Sequence, residues 1–269
     1  MSIIEWDTIL LPYEQATNEL VLKFQDIRKY YIRTGKPSPI EAVEGRVKSI
    51  RSILDKLDKK NIPDKDLETK IEDIAGVRVL CKFVEDIDKV VNIVRERNNF
   101  DLKINEERDY ISNIKKSGYR SYHILISYPL AMGSEKREVR AEIQIRTITM
   151  NFWAGIEHSL RYKYRNVMPE DLQKRLTKAA EAAYQLDKEM GAIREELLEA
   201  GRAEERKDNL VFEISMGIKK IYQFGEVEIA SKFNKAFMDL YCNKASLKEL
   251  EYLHEQIRIV IQINNKTHT

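Results

Sequence analysis

The chain has 269 residues, of which 43% are hydrophobic and 33% charged, and its formal net charge is +2. That length supports one or two domains with a buried core, and the composition excludes a disordered or fibrous chain. The near-neutral balance excludes a global field that would draw the protein to nucleic acid or a membrane, so anion binding has to come from local clusters of charge.

In chain order, Leu10–Arg33 reads as a helix, because Leu20, Phe24, Ile27 and Tyr31 recur at helical spacing. Thr34–Pro39, with one Gly and two Pro, breaks it. The next stretch, IEAVEGRVKSIRSILDKLDKK, fits two readings: one continuous helix, or a strand over Ala42–Lys48 followed by a helix capped by Ser49. The choice matters because Arg46 and Lys48 point the same way only in a strand. After a polar linker, Val77, Val79, Cys81 and Phe83 alternate with Arg78, Leu80 and Lys82 as a strand, with Asp73 and Gly76 in the turn entering it. Asp86–Arg97 reads as a helix, Phe100–Ile104 as a strand and Asn105–Ser117 as a charged, mobile loop.

Tyr119–Tyr128 alternates again and is expected to stop at Pro129, with a turn at Gly133-Ser134. Glu138–Arg146 has the cleanest alternation: Val139, Ala141, Ile143 and Ile145 face one way, and Arg140, Glu142, Gln144 and Arg146 the other. Thr147 then caps a helix to about Tyr164, in which Phe152 and Trp153 read as core. Glu170–Gly201 reads as one long helix whose Leu172, Leu176, Ala179, Ala183, Leu186, Met190, Ile193 and Leu197 make a narrow apolar stripe. A charged break is expected at Arg202–Asn209, then further helices over Leu210–Gln262 interrupted near Gly225 and Ser246, and a tail from Asn264. The natural domain boundary is Gly201, giving domains 1–201 and 202–269.

Cys81 and Cys242 form no CxxC or Cys/His pattern, which fits a reducing, cytoplasmic location. The N-terminal stretch has no basic region or small-residue cleavage site, so no signal peptide is expected. No apolar run approaches the roughly 18 residues of a membrane span. Neither GxGxxG nor GxxxxGK[ST] occurs, and the four histidines form no HExxH motif.

Chemistry concentrates in two stretches. Arg46, Lys48, Arg78, Lys115, Lys116 and Arg120 lie at the ends or faces of the expected strands, where cations can hold polyphosphate, although each is equally readable as a surface charge. Asp73 and Glu142 would converge from neighbouring strands as a two-carboxylate site for Mg²⁺, or Glu142 is one of a solvated row. Gly118-Tyr119 suggests a tight turn presenting a ring to a base, with an edge aromatic of the core as the plainer alternative.

The runs GRVKSIRSI (45–53), IEDIAGVRVLCKF (71–83), RDYISNIKKSGYRSYH (108–123) and EIQIRTITMNFWAGIEH (142–158) together resemble the (p)ppGpp synthetase family, and closely the small alarmone synthetases. The resemblance implies an α+β, nucleotidyltransferase-like fold, a mixed β-sheet flanked by helices, here with a C-terminal helical extension. It implies transfer of pyrophosphate from ATP to the ribose 3′-OH of GDP or GTP. By motif, Arg46, Lys48, Ser52 and Arg78 would hold ATP, and Asp73 and Glu142 would hold Mg²⁺, Glu142 also taking the 3′-OH proton. Tyr119 would stack on guanine with Asn151 near its edge, and Lys115, His123 and Gln144 would position acceptor phosphate and ribose. A homo-oligomer, a tetramer in the family, is implied, and no hydrolase activity. Two departures stand out. Ile114 replaces the family's Pro before the loop lysine, leaving open whether Lys115 or Lys116 is the functional one, and Ala42 stands where product-activated members carry an aromatic. The alternatives are a related pyrophosphokinase with an adenosine-nucleotide or tRNA 3′-end acceptor, and a non-catalytic regulator that binds nucleotides or RNA.

Overall fold

A computed structural model describes residues 6–63, 66–133, 135–164 and 169–267. They form a unit spanning Met1–Gly191 and a second spanning Ala192–Thr269. The first is built on a five-stranded sheet: β1 (Ala42–Val47), β2 (Ala75–Cys81), β3 (Lys103–Asp109), β4 (Tyr122–Met132) and β5 (Glu135–Thr147), in the order β1-β2-β5-β4-β3. Only β2 and β5 run parallel, and the other neighbours are antiparallel, so the sheet is mixed.

The period-2 alternation of the strands sends apolar side chains to one face. Val77, Val79, Ile124, Ile126, Ile143 and Ile145 are buried there with α1 (Trp6–Arg33) and α4 (Val84–Glu96), which contribute Leu20, Phe24, Ile87, Val90 and Val94. The opposite face carries polar rows. Arg108, His123, Gln144, Arg78 and Glu44 stand in register across all five strands, and Gly76 sits between Arg46 and Glu142.

At 42–47 the strand reading holds. Ser49 then caps α2 (Ile50–Lys60), its side chain accepting from the Ser52 amide at 3.4 Å. A short α3 (Leu67–Lys70) follows. Several expectations are corrected. Gly76 lies within β2 rather than in a turn. The charged segment after Ile104 is not a loop, because β3 continues to Asp109 by pairing with β4. Pro129 does not end β4, which continues to Met132. The β3 partner has already stopped opposite Ser127, so the missing Pro N–H breaks no ladder on that side. The turn at Gly133 lies partly outside the described residues, as does the end of the chain after Thr267.

Thr147 caps α5 (Ile148–Lys163), accepting from the Met150 amide at 3.0 Å, and donates to Asp187 at 2.5 Å. Trp153 is buried, but Phe152 is 68% exposed, so only the tryptophan is core. α6 runs unbroken from Glu170 to Gln223, correcting the expected break at Arg202–Asn209. That segment has no Pro, and its Arg, Ala, Glu and Lys are good helix formers, so charge alone does not interrupt it.

In the second unit the later part of α6 packs with α7 (Val227–Cys242) and α8 (Leu247–Thr267) around Ile214, Ile221, Ala230, Leu250 and Ile257. Gly225, at φ +84°, follows the end of α6. Ser246 and Glu249 form a reciprocal cap at the start of α8, with Ser246 N donating to Glu249 at 2.7 Å and Glu249 N to Ser246 at 3.4 Å. Asn264 is helical rather than part of a tail. Among the described residues no helix is long and apolar enough to cross a membrane.

Candidate active site

A cavity of about 110 Å³ opens on the polar face where β1, β2 and β5 meet, lined by Arg46, Lys48, Asp73, Arg78, Glu142 and Gln144 among others. Gly76 forms part of its wall and has no side chain to fill it. Six of the sequence candidates therefore converge, from three strands and the turns beside them.

Two carboxylates anchor the cavity. Asp73 accepts from Lys48 Nζ at 2.8 Å and from Lys56 Nζ at 2.7 Å. Burial pushes its pKa up, but the two ammonium groups win, and it sits below its ordinary value. Glu142 is 8% exposed. Burial and the Asp73 charge raise its pKa, but His123 and Gln144 overcome them, so it too is lowered. His123 Nδ1 lies 2.8 Å from one Glu142 oxygen, and Gln144 Nε2 donates to the other at 2.7 Å. Arg146 donates in turn to Gln144 Oε1.

The chain of contacts continues outward. With Nδ1–H turned to the carboxylate, His123 Nε2 accepts from the Tyr119 hydroxyl at 2.9 Å. Tyr110, Tyr119 and His123 meet edge to face. Lys115 Nζ lies 3.9 Å from the Tyr110 ring centroid and 4.9 Å from that of Tyr119, which distinguishes it geometrically from its neighbour Lys116. Tyr119, His123 and Lys115 thus join the cavity through Glu142 rather than by lining it. Ser52 and Asn151 do not line the cavity and lie in the first turns of α2 and α5.

Three further residues belong here and were not singled out from the sequence. Lys56 follows Ser52 by four residues, the helical repeat that brings both to one face. Arg146 follows Glu142 and Gln144 at the strand repeat of two, is 4% exposed, and has its pKa lowered by burial. Its Nε, like that of Arg78, is buried with no hydrogen-bond partner among the described residues. Under-satisfied guanidinium groups beside a cavity are suited to an anionic ligand. Tyr110 is the third, and only its position facing Lys115 marks it. Arg120, grouped with the phosphate-binding cations, points elsewhere: it is buried against α6.

The donor set fits a divalent cation that keeps other ligands. Each carboxylate oxygen of Asp73 and Glu142 accepts one hydrogen bond and retains a lone pair. Among the described residues no cluster of three or more His, Cys, Asp or Glu forms a complete protein cage. Two carboxylates with the shell completed by phosphate and water is how Mg²⁺ is usually held.

Residues 45–167 match the family model described as "Region found in RelA / SpoT proteins". The chain is 49% identical over 203 residues to GTP pyrophosphokinase YjbM of Bacillus subtilis, covering 76% of this chain and 95% of that protein. The crystal structure of small alarmone synthetase 1 from Bacillus subtilis bound to its product pppGpp superposes with a TM-score of 0.68 at 48% identity, covering 71% of this chain and 97% of that one. The same enzyme bound to AMPCPP gives 0.64 at 45% identity, with 72% and 98% covered. The matched region contains Arg46, Lys48, Asp73, Arg78, Glu142 and Gln144 of the cavity wall, and the chain belongs to the RelA/SpoT family, among its small alarmone synthetases.

Proposed function

We propose that this protein is a GTP pyrophosphokinase that makes (p)ppGpp and AMP from ATP and GDP or GTP. The observation that carries the reading is the convergence of Asp73, Glu142, Arg46, Lys48 and Arg78 on one cavity. Arg46, Lys48 and Arg78 would bind and neutralise the ATP phosphates, with Ser52 and Lys56 contributing from α2. Lys115, Tyr119, His123, Gln144 and Asn151 would seat the guanosine acceptor, with Tyr119 against the base. The acceptor 3′-oxygen attacks the β-phosphorus of ATP, the bond from that phosphorus to the α-β bridging oxygen breaks, and AMP leaves with the electron pair. Glu142 would receive the 3′-OH proton. Its lowered pKa makes it a weak base, which suits a loose phosphoryl transition state in which the proton moves late. Mg²⁺ on Asp73 and Glu142 would neutralise charge on the transferring phosphates. Most of the acceleration is then positioning and electrostatics by side chains already fixed in hydrogen bonds. A cytoplasmic location, where ATP and guanosine nucleotides are available, belongs to the same reading.

The test is product analysis with ATP and a panel of guanosine and adenosine nucleotides, with and without Mg²⁺. AMP and a 3′-pyrophosphorylated guanosine nucleotide, formed only with the cation, are expected. Turnover confined to adenosine acceptors, or none at all, would refute the reading.

The homo-oligomer, a tetramer by family resemblance, belongs to the same proposal. α6 docks on its own unit through Ala180, Tyr184, Asp187 and Gly191. The narrow apolar stripe is one residue out of phase with that face, so Leu172, Leu186 and Met190 remain 43%, 56% and 47% exposed. Its 3–4 spacing is that of a helix seam, and Arg175 and Glu189 flank it so as to oppose each other across an antiparallel pair. Leu186→Glu combined with Met190→Glu is expected to lower the mass measured by light scattering. A wild type already monomeric, or an unchanged mass in the variant, would remove this interface.

A further inference from the structure

Arg120 is a buried charge in the turn before β4, between half-buried Tyr119 and fully buried Ser121. It is 4% exposed, although it follows Tyr119 directly and precedes β4 by only two residues. Its guanidinium is turned away from the cavity onto α6. Nη2 donates to Glu181 at 2.5 Å, Nη1 reaches the carbonyls of Gly118 at 3.3 Å and Ala180 at 3.4 Å, and Cζ lies 4.3 Å from the Tyr184 ring centroid. A buried arginine is costly unless paired, so these partners fix where it goes.

The loop touches α6 at further points. Gly118 has φ +86°, and a Cβ there would stand 2.6 Å from Ala180 Cβ and 3.5 Å from the Thr177 backbone. Thr177 donates to the Ser117 carbonyl at 3.4 Å. The Gly118 amide donates to the Lys115 carbonyl at 2.8 Å and closes the turn. Tyr119 itself packs with Trp153, Ala154 and Ala180. The turn that presents Lys115 and Tyr119 is thus stapled to two successive turns of one helix, and Arg120 is the charged member of the staple.

We propose that Arg120, through Glu181, is a positioning residue for the acceptor: the pair holds the 115–120 turn on α6 so that Tyr119 and Lys115 meet the acceptor base. This rests on the function proposed above. The ATP-side cations lie on β1, on β2 and beside α2, and none of them touches this staple. Loosening it should therefore weaken acceptor binding and leave ATP binding alone. If the competent turn conformation becomes a minor state, apparent acceptor affinity falls by its fractional population.

Glu181 is the residue to change, because its side chain is 53% exposed and its loss should leave the fold intact. Titration calorimetry with GDP and steady-state kinetics on Glu181→Ala should show GDP affinity down and KM for GDP up by about threefold to tenfold. KM for ATP should change less than about twofold. Glu181→Gln, which keeps a neutral acceptor for Arg120, should recover part of the loss. Adding Glu181→Ala to Arg120→Gln should cost nothing more. Unchanged GDP affinity in Glu181→Ala, or equal weakening of both substrates, overturns the proposal. A wild type that binds GDP and turns over while Glu181→Ala matches it removes the positioning role alone. A wild type that neither binds GDP nor makes product removes the proposed function, and this role with it.

Discussion

Glu142→Gln is expected to lower kcat by about 10²–10⁴-fold with the fold retained. The amide has nearly the same shape as the carboxylate but no charge, and one of its two ends is a donor. At this site both carboxylate oxygens face donors, Nδ1–H of His123 and Nε2 of Gln144. The variant must therefore set an N–H against an N–H, turn one neighbour away or move the His123 proton to Nε2, and it loses the negative charge opposite Asp73 that a divalent cation requires. ATP binding by Arg46, Lys48 and Arg78 should survive, so the loss belongs in kcat rather than in KM for ATP. A variant within a factor of three of wild type would show that Glu142 takes no part in the chemistry.

A second measurement on the same pair of proteins reads the carboxylate directly. The Glu142 pKa is depressed in the folded state, so its ionised form contributes stability that is complete above the unfolded value of about 4.3 and is lost as pH falls through the folded value. The gap in Tm between wild type and Glu142→Gln should hold from neutral pH to about 5 and close only as pH falls below the unfolded value of about 4.3 and through the folded one, where a protonated glutamate resembles the amide. A gap that widens on acidification would contradict the depressed pKa.

How much of this was legible beforehand depends on which interactions set each feature. Period-2 alternation marked β5 and the core face of β2 because one side of each strand meets the α1–α4 layer, and burial writes itself into sequence. The same logic put Glu142 and Gln144 on one face, and their motif context brought in Asp73. Pro129 and the 105–109 segment were misread because strand length there is set by pairing partners distant in sequence. The docking face of α6 was illegible for a related reason: it lies one residue out of phase with the apolar stripe, and Ala180, Asp187 and Gly191 are not the residues by which a pattern reveals a contact. Arg146 was equally a member of the Glu142 row, but an arginine on a polar strand face looks solvated until neighbouring strands bury it. The Lys56–Asp73 pair depends on how the connection between β1 and β2 brings α2 beside the entry to β2, which no local period encodes.

Gly45→Val carries the largest expected effect on the scaffold, and it tests the link between packing and site. Gly45 faces α1, and even a Cβ there would lie 2.8 Å from Thr17 Cγ2 and 2.9 Å from Val21 Cγ2. Valine adds two further methyl groups on a stiff χ1, so either α1 lifts or β1 shifts away from Val77, its register partner. Overpacking of this kind costs about 1–3 kcal/mol, or roughly 2–10 °C in Tm for a unit of this size. β1 also carries Arg46 and leads into Lys48, so the displacement reaches the ATP side of the cavity first. KM for ATP should rise more than KM for the acceptor, the reverse of the pattern expected from Glu181→Ala. Gly155→Ala is the matched control, because nothing lies within 4 Å of a Cβ there, and alanine in a helix should hold or raise Tm by up to about 1 kcal/mol of stability. A Gly45→Val protein with wild-type Tm would mean that α1 does not rest on β1 as closely as the structure has it, and the rigid seating of Arg46 and Lys48 would need another cause.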